Sequence, residues 1–227
     1  MSAEDVCAAV VPGVQVTGAW LSTAQDADAG HLMRVTNDVS ERLAELELTL
    51  GEGPSLDASA SGGPALASDL ADRESEYRWP AFAPAACTAG AAAVFAFPLA
   101  VGAIRAGALG LYRDRPGPLS GFQLGDALVF ADTATLLLLD AQDRAGPGGP
   151  GAGPGGQTAG LASHRAEIDQ ATGMLTEQLG VGINDAFARL RAYAYINDLR
   201  LRDVARDIVA RRLRLPLDPD LSLDDEA

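Results

Sequence analysis

The sequence predicts an α+β protein in two parts. Residues 1–144 read as an antiparallel sheet flanked by helices, and residues 161–215 as an all-α bundle of three helices. Three observations carry this. Short apolar stretches in the first part alternate with small residues or are bounded by turn chemistry, as half-buried strands require. In the second part apolar residues recur at offsets of three and four, which puts them on one face of a 3.6-residue helix. Between the two, Pro147, Pro150 and Pro154 stand among glycines over residues 145–160, where neither helix nor strand should persist.

The elements follow in order. Residues 14–21 alternate apolar and small side chains and predict a strand, with a weaker second at 32–35. Val39, Leu43 and Leu46 share a helical face, so 39–48 reads as a helix, after which turn chemistry takes over. Residues 91–101 and 106–112 form a hairpin-like pair whose bend, 102–105, opens on Gly102. Ser120 is placed to cap a long apolar helix over 122–140 that carries Leu124, Leu128, Ala131, Thr135, Leu138 and Leu139.

Beyond the Gly/Pro-rich tether, Ile168, Ala171, Thr172, Leu175 and Leu179 make a first stripe. Ile183, Ala186, Phe187, Leu190 and Ala194 repeat it after the breaker Gly180-Val181-Gly182. Leu201, Val204, Ala205 and Ile208 follow Asn197 as a third. Isolated helices of this length are marginal in water, so mutual burial of the stripes is what stabilises them. Residues 216–227 form an acidic tail.

Composition excludes several function classes. All 17 basic residues are Arg. The absence of Lys removes Walker-type phosphate binding, pyridoxal Schiff-base chemistry, kinase-type Lys–Glu pairing and the lysine-dependent receiver domain. With His31, His164, Cys7 and Cys87 far apart, no zinc site or catalytic dyad has its spacing. No catalytic residue, metal ligand or cofactor is expected, and the chain reads as a non-enzyme. Its acidic start, Met1 to Asp5, lacks the form of a secretory signal, and the apolar run 89–104 is too short and is broken by Pro98. A cytoplasmic protein with reduced thiols and no membrane partner is expected.

Net charge is −14, unevenly spread. Residues 165–215 hold nine Arg against seven acids, whereas 1–144 hold eight Arg against 19 acids. A relatively basic segment in an acidic chain can mark a nucleic-acid-binding module. Arg202 and Arg206 lie four apart, away from the third stripe, and have two readings: they face phosphates, or they form a solvated face with Asp203 and Asp207. Tyr193 and Tyr195 cannot share a face, so one supports the bundle and the other is exposed. Asn197 is either a helix cap or a nucleic-acid contact.

Residues 6 to about 142 resemble the GAF domain, a module that senses small ligands or signals. The resemblance rests on Leu50-Gly51-Glu52-Gly53-Pro54-Ser55-Leu56-Asp57, Asp69-Leu70, Arg78-Trp79-Pro80-Ala81-Phe82, Phe97-Pro98-Leu99 and Gly107-Ala108-Leu109-Gly110-Leu111-Tyr112. It implies a ligand pocket between the sheet and two loops, with Trp20, Glu52, Asp57, Trp79 and Phe97 as candidate lining. Trp79 either caps that cavity or covers the core, and Trp20 is the more core-like of the two. Many relatives carry Cys where Ser55 stands, so thiol chemistry is not available there.

The last segment resembles the ANTAR domain, the RNA-binding module of bacterial transcription antiterminators, in the actinobacterial form that follows a GAF domain. The residues behind this are Ile168-Asp169-Gln170-Ala171-Thr172-Gly173-Met174-Leu175, Ala186-Phe187-Ala188-Arg189-Leu190-Arg191, Ala194, Asn197, Leu201 and Asp203-Val204-Ala205. The family often has Lys at the position of Thr172 and Met at that of Thr176. The resemblance implies a homodimer that binds stem-loops in nascent transcripts, with Arg165, Thr172, Arg191, Tyr195, Asn197, Arg202 and Arg206 as candidate RNA contacts. It also implies a small-molecule or protein signal at the first domain. The alternatives are a DNA-binding regulator of helix-turn-helix type and a protein-binding sensor or dimerisation module.

Overall fold

Five antiparallel strands organise the N-terminal part: β1 (Gly18–Thr23), β2 (His31–Val35), β3 (Ala65–Ala67), β4 (Ala93–Val101) and β5 (Ile104–Arg113), in the spatial order β2-β1-β5-β4-β3. The computed structural model describes residues 3–23, 31–102, 104–145, 156–197 and 199–216. The chain divides into two units, Met1–Ala162 and Ser163–Ala227.

Strand alternation builds a core on each face of the sheet. Ala19 and Leu21 of β1, Phe95, Phe97 and Leu99 of β4, and Leu109 and Leu111 of β5 meet α1 (Ala3–Val14) and α6 (Gly121–Ala145). Trp20, Val94 and Tyr112 point the other way, under α2 (Asp38–Leu50) and α5 (Phe82–Thr88), beside Leu43, Leu46, Trp79 and Phe82. A third, smaller cluster packs α3 (Pro54–Ser61) on β3 and β4 through Ala58, Ala65 and Ala96. The short α4 (Arg73–Arg78) leads into Trp79.

Local chemistry sets the helix ends. Asn37 caps α2 by accepting from the Ser40 N–H at 2.9 Å, and Gly51, at φ 71°, closes it in the left-handed conformation. Ser120 and Gln123 make a reciprocal capping box at the start of α6, with bonds of 3.3 and 2.9 Å. Among the described residues Gly121–Asp140 is long and apolar enough to cross a membrane. Here Ala127, Ala131, Ala134 and Leu138 pack that helix against the sheet.

Several boundaries differ from the sequence expectation. Residues 3–14 form α1, with Val6, Cys7, Val10 and Val14 buried, although Val10, Val11 and Pro12 are poor helix formers. Packing on α6 and the sheet overrides that local preference. Val14 therefore closes a helix rather than opening a strand, Gln15 turns the chain at φ 58°, and β1 starts at Gly18. Ile104 and Arg105 belong to β5, so the hairpin bend is tighter than 102–105. The helices α3, α4 and α5 occupy the stretch read as turns.

Helices α7 (Gly156–Leu179), α8 (Ile183–Ile196) and α9 (Leu201–Val209) bury the three stripes apart from Leu179, which is half-buried, and Ile183, which is 63% exposed. Helix α7 starts inside the 145–160 stretch, where no helix was expected. Pro154 is its last proline, and Ala159, Leu161 and Ala162 favour helix beyond it. Residues 146–155 and the tail 217–227 lie outside the described residues. Gly180, at φ 65°, ends α7 by donating to the Thr176 carbonyl. After α9 the chain returns to α7: Leu215 is buried and its carbonyl accepts from Gln178 Nε2 at 2.7 Å.

Candidate functional site

The five candidate pocket residues of the N-terminal unit do not line one pocket. Glu52 Oε1 accepts from the Ala81 and Phe82 N–H groups at 2.7 and 2.8 Å, so its carboxylate closes the open start of α5. Asp57 pairs with Arg78 at 2.9 Å, and that guanidinium sits 4.4 Å above the centre of the Trp79 ring. Trp79 and Trp20 are both buried in the core under α2 and α5. Trp20 lies so flat on Gly110 that a Cβ there would collide with its ring. Phe97 points to the opposite face because β4 alternates, and the sheet separates it from both indoles.

Sequence reasoning missed Glu47. It is buried on α2, its Oε1 accepts from the Ser55 N–H at 2.7 Å, and Gly53 passes over it so closely that any Cβ there would touch its Cγ. Burial pushes the carboxyl from 4.5 to about 7, Ser55 and Trp20 pull it back, and Asp57 adds to the rise. The Trp20 indole N–H and the Ser55 hydroxyl lie near enough to affect it, yet neither has a partner at hydrogen-bonding geometry. The available signal was position: Glu47 follows Leu43 by four and Leu46 by one, on the face that α2 turns inward.

A cavity of about 340 Å³ opens between α1 and β2, walled by Cys7, Ala8, Val11 and Val35 and edged by Thr17, Arg34 and Asn37. Burial pushes the Cys7 thiol to about 12, with Arg34 pulling it down, and Cys87 is raised by burial, Asp69 and Glu76. Both are held as thiols at neutral pH, away from the reactive thiolate form. Among the described residues no three His, Cys, Asp or Glu side chains converge as metal ligands.

In the C-terminal unit the expected contact at Thr172 is corrected. Its side chain is buried and its hydroxyl donates to the Ile168 carbonyl at 2.8 Å, so it belongs to the bundle interior. Asn197 caps α8, its Nδ2 donating to the Tyr193 carbonyl at 2.8 Å, while the residue stays exposed. Tyr193 is half-buried and Tyr195 is 59% exposed, which settles which tyrosine faces solvent. Arg191 lies 5.8 Å from the centre of the Phe187 ring. The side chain of Arg165 lies outside the described residues.

On α9 the two candidate arginines face carboxylates. Arg202, with 20% of its side chain exposed, lies 4.0 Å from Asp203. Arg206, 46% exposed, pairs with Asp203 at 3.3 Å and with Glu167 of α7 at 3.6 Å. The Arg206–Asp203 pair, exposed on both sides, is worth roughly 0–1 kcal/mol, weak enough for a phosphate to replace it.

Comparison with known families decides the nature of this unit, since the model of the ANTAR domain family matches residues 157–209. This segment is an ANTAR domain. The match spans α7, α8 and α9, and includes every candidate RNA contact named above. Ahead of the ANTAR domain, the N-terminal unit is similar to solved GAF-type structures. A domain of a sensor histidine kinase protein from Sinorhizobium meliloti aligns at 17% identity and TM-score 0.49, over 60% of this chain and 87% of that one. The GAF-B domain of DevS from Mycobacterium smegmatis aligns at 18% and 0.46, over 62% and 93%. The GAF domain of an Acinetobacter phosphoenolpyruvate-protein phosphotransferase aligns at 13% and 0.48, over 62% and 84%. No curated protein matches the chain.

Proposed function

We propose that the protein is a non-enzymatic, cytoplasmic regulator whose ANTAR domain binds stem-loops in nascent RNA under the control of its N-terminal unit. One observation carries this reading: the ANTAR match falls on 157–209, within the basic part of a chain whose net charge is −14. Arginines with replaceable partners and an exposed tyrosine are the side chains such a complex needs, guanidiniums for phosphates and a ring for unpaired bases. The protein supplies binding energy alone. By holding one hairpin in the transcript it keeps a competing terminator hairpin from forming, and a second copy presents a second site.

The domain limits follow the same reading: a sensor over 1–144, a tether over 145–160, an RNA-binding domain over 161–215 and an acidic tail. Arg165, Arg191, Tyr195, Asn197, Arg202 and Arg206 are assigned to RNA. The N-terminal unit receives a small-molecule or protein signal. Affinity of the full chain for hairpin RNA and for duplex DNA, measured across a salt series, tests the reading. Hairpin binding that falls steeply with salt supports it. A preference for duplex DNA, or dimerisation without any RNA binding, overturns it.

A further inference from the structure

The turn that follows α9 gathers three guanidiniums within four residues. Ala210 closes the helix, and Arg211 comes next at φ 57°, the left-handed conformation that favours glycine. The Arg211 N–H donates to the Ile208 carbonyl, and those of Arg212 and Leu213 both donate to the Asp207 carbonyl, so the turn is fixed to the helix end. Leu213 is half-buried and Leu215 buried, while Arg211, Arg212 and Arg214 are exposed. Arg212 pairs with Asp207 through Nε and Nη2 at 3.0 and 2.6 Å. Arg211 and Arg214 meet no carboxylate among the described residues. One acid beside three arginines leaves the turn cationic, and it lies beyond the 157–209 span of the family match.

We infer that residues 217–227 dock on this arginine turn, their carboxylates meeting Arg211 and Arg214. That segment carries Asp218, Asp220, Asp224, Asp225 and Glu226 and no basic residue, so its charge complements the turn. Its reach also suits. Leu215, buried and held by Gln178, fixes the point from which the segment departs. Eleven residues extend to at most about 36 Å, against about 14 Å for the nine residues of α9. A tether this short keeps the acids at a millimolar effective concentration beside the turn, which a dilute free anion does not match. On the RNA-binding reading above, the docked carboxylates hold guanidiniums that phosphates would otherwise take. The segment then acts as an internal competitor, lowering affinity for weakly bound nucleic acid and yielding to a tight stem-loop.

The test uses the full-length protein and the Nε–H NMR signals of its arginines, assigned through Arg211→Gln and Arg214→Gln. The parent is compared with a variant carrying Asp218→Asn, Asp220→Asn, Asp224→Asn, Asp225→Asn and Glu226→Gln. The Arg211 and Arg214 signals should differ between the two at about 50 mM salt and coincide at about 1 M, where the Debye length falls to about 3 Å. At low salt the variant should bind a fixed-stem hairpin RNA about 3- to 10-fold more tightly, the release of two or three exposed pairs. A control carrying Asp38→Asn, Glu74→Gln, Glu76→Gln, Asp126→Asn and Asp132→Asn makes the same change in net charge at exposed acids of the N-terminal unit. Arginine signals that the tail substitutions do not move overturn the inference while the RNA reading stands. Equal gains in affinity from tail and control substitutions trace the effect to net charge and overturn it too. Shifted signals without hairpin binding by any of the proteins support the docking and overturn the RNA-binding reading instead.

Discussion

Glu47→Gln should stabilise the N-terminal unit above neutral pH and leave it unchanged in acid. The folded carboxyl titrates near 7 and the unfolded one near 4.5. Between those values the native state holds a proton that the unfolded chain has released, so the contribution of Glu47 is largest below 4.5 and is lost as pH rises through 7. At about 1.4 kcal/mol per pH unit, the ionised carboxylate costs the fold on the order of 3 kcal/mol at pH 8. Glutamine keeps an oxygen for the Ser55 N–H and brings an amide that the unpartnered Ser55 hydroxyl can accept. Both tryptophans of the chain, Trp20 and Trp79, are buried in the core beside it, so urea unfolding followed by their emission reports this unit. With a urea slope of about 2 kcal/mol per molar, the variant midpoint should lie about 1.5 M above the parent at pH 8 and coincide with it near pH 4.5. A difference that stays constant across that range, or a less stable variant at pH 8, would refute the reasoning.

Other substitutions separate structural roles from binding roles. Gly110→Ala should cost about 1–3 kcal/mol or prevent folding, because its methyl group collides with the Trp20 ring; the same urea assay measures it. Glu52→Ala should lower stability by about 1–3 kcal/mol through the two N–H groups it leaves open at Ala81 and Phe82, seen as a reduced melting temperature. Thr172→Val should leave hairpin affinity unchanged in a filter-binding assay, because the hydroxyl bonds to Ile168 within α7. Cys7 should resist alkylation at pH 7.5 until urea unfolds the chain, then react at the rate of an ordinary thiol, as mass spectrometry would show.

The ANTAR bundle was legible because each stripe is amphipathic and bounded by a breaker, so period and punctuation agree at Gly180 and after Asn197. The long α6 and the β4–β5 pair were legible for the same reason. Helix α1 was not, since its β-branched residues and Pro12 argue against helix and only tertiary packing overrides them. The candidate pocket failed where sequence motifs carry no facing information. Glu52 and Asp57 sit in a recognisable run, but their partners are 29 and 21 residues away. Phe97 fell on the far side of the sheet because it pairs with Leu109 while Trp20 pairs with Gly110, one position along β5, a register that the motif does not encode. On α8 the spacing alone could not tell Tyr193 from Tyr195, and burial did.

The return of the chain after α9 sets a practical limit on excising the ANTAR domain. The family match stops at residue 209, yet Leu215 plugs the apolar surface and Gln178 clasps its carbonyl six positions farther on. A fragment trimmed to the matched length would bare that surface and expose sticky hydrocarbon, whereas one carried through residue 216 keeps its own stopper.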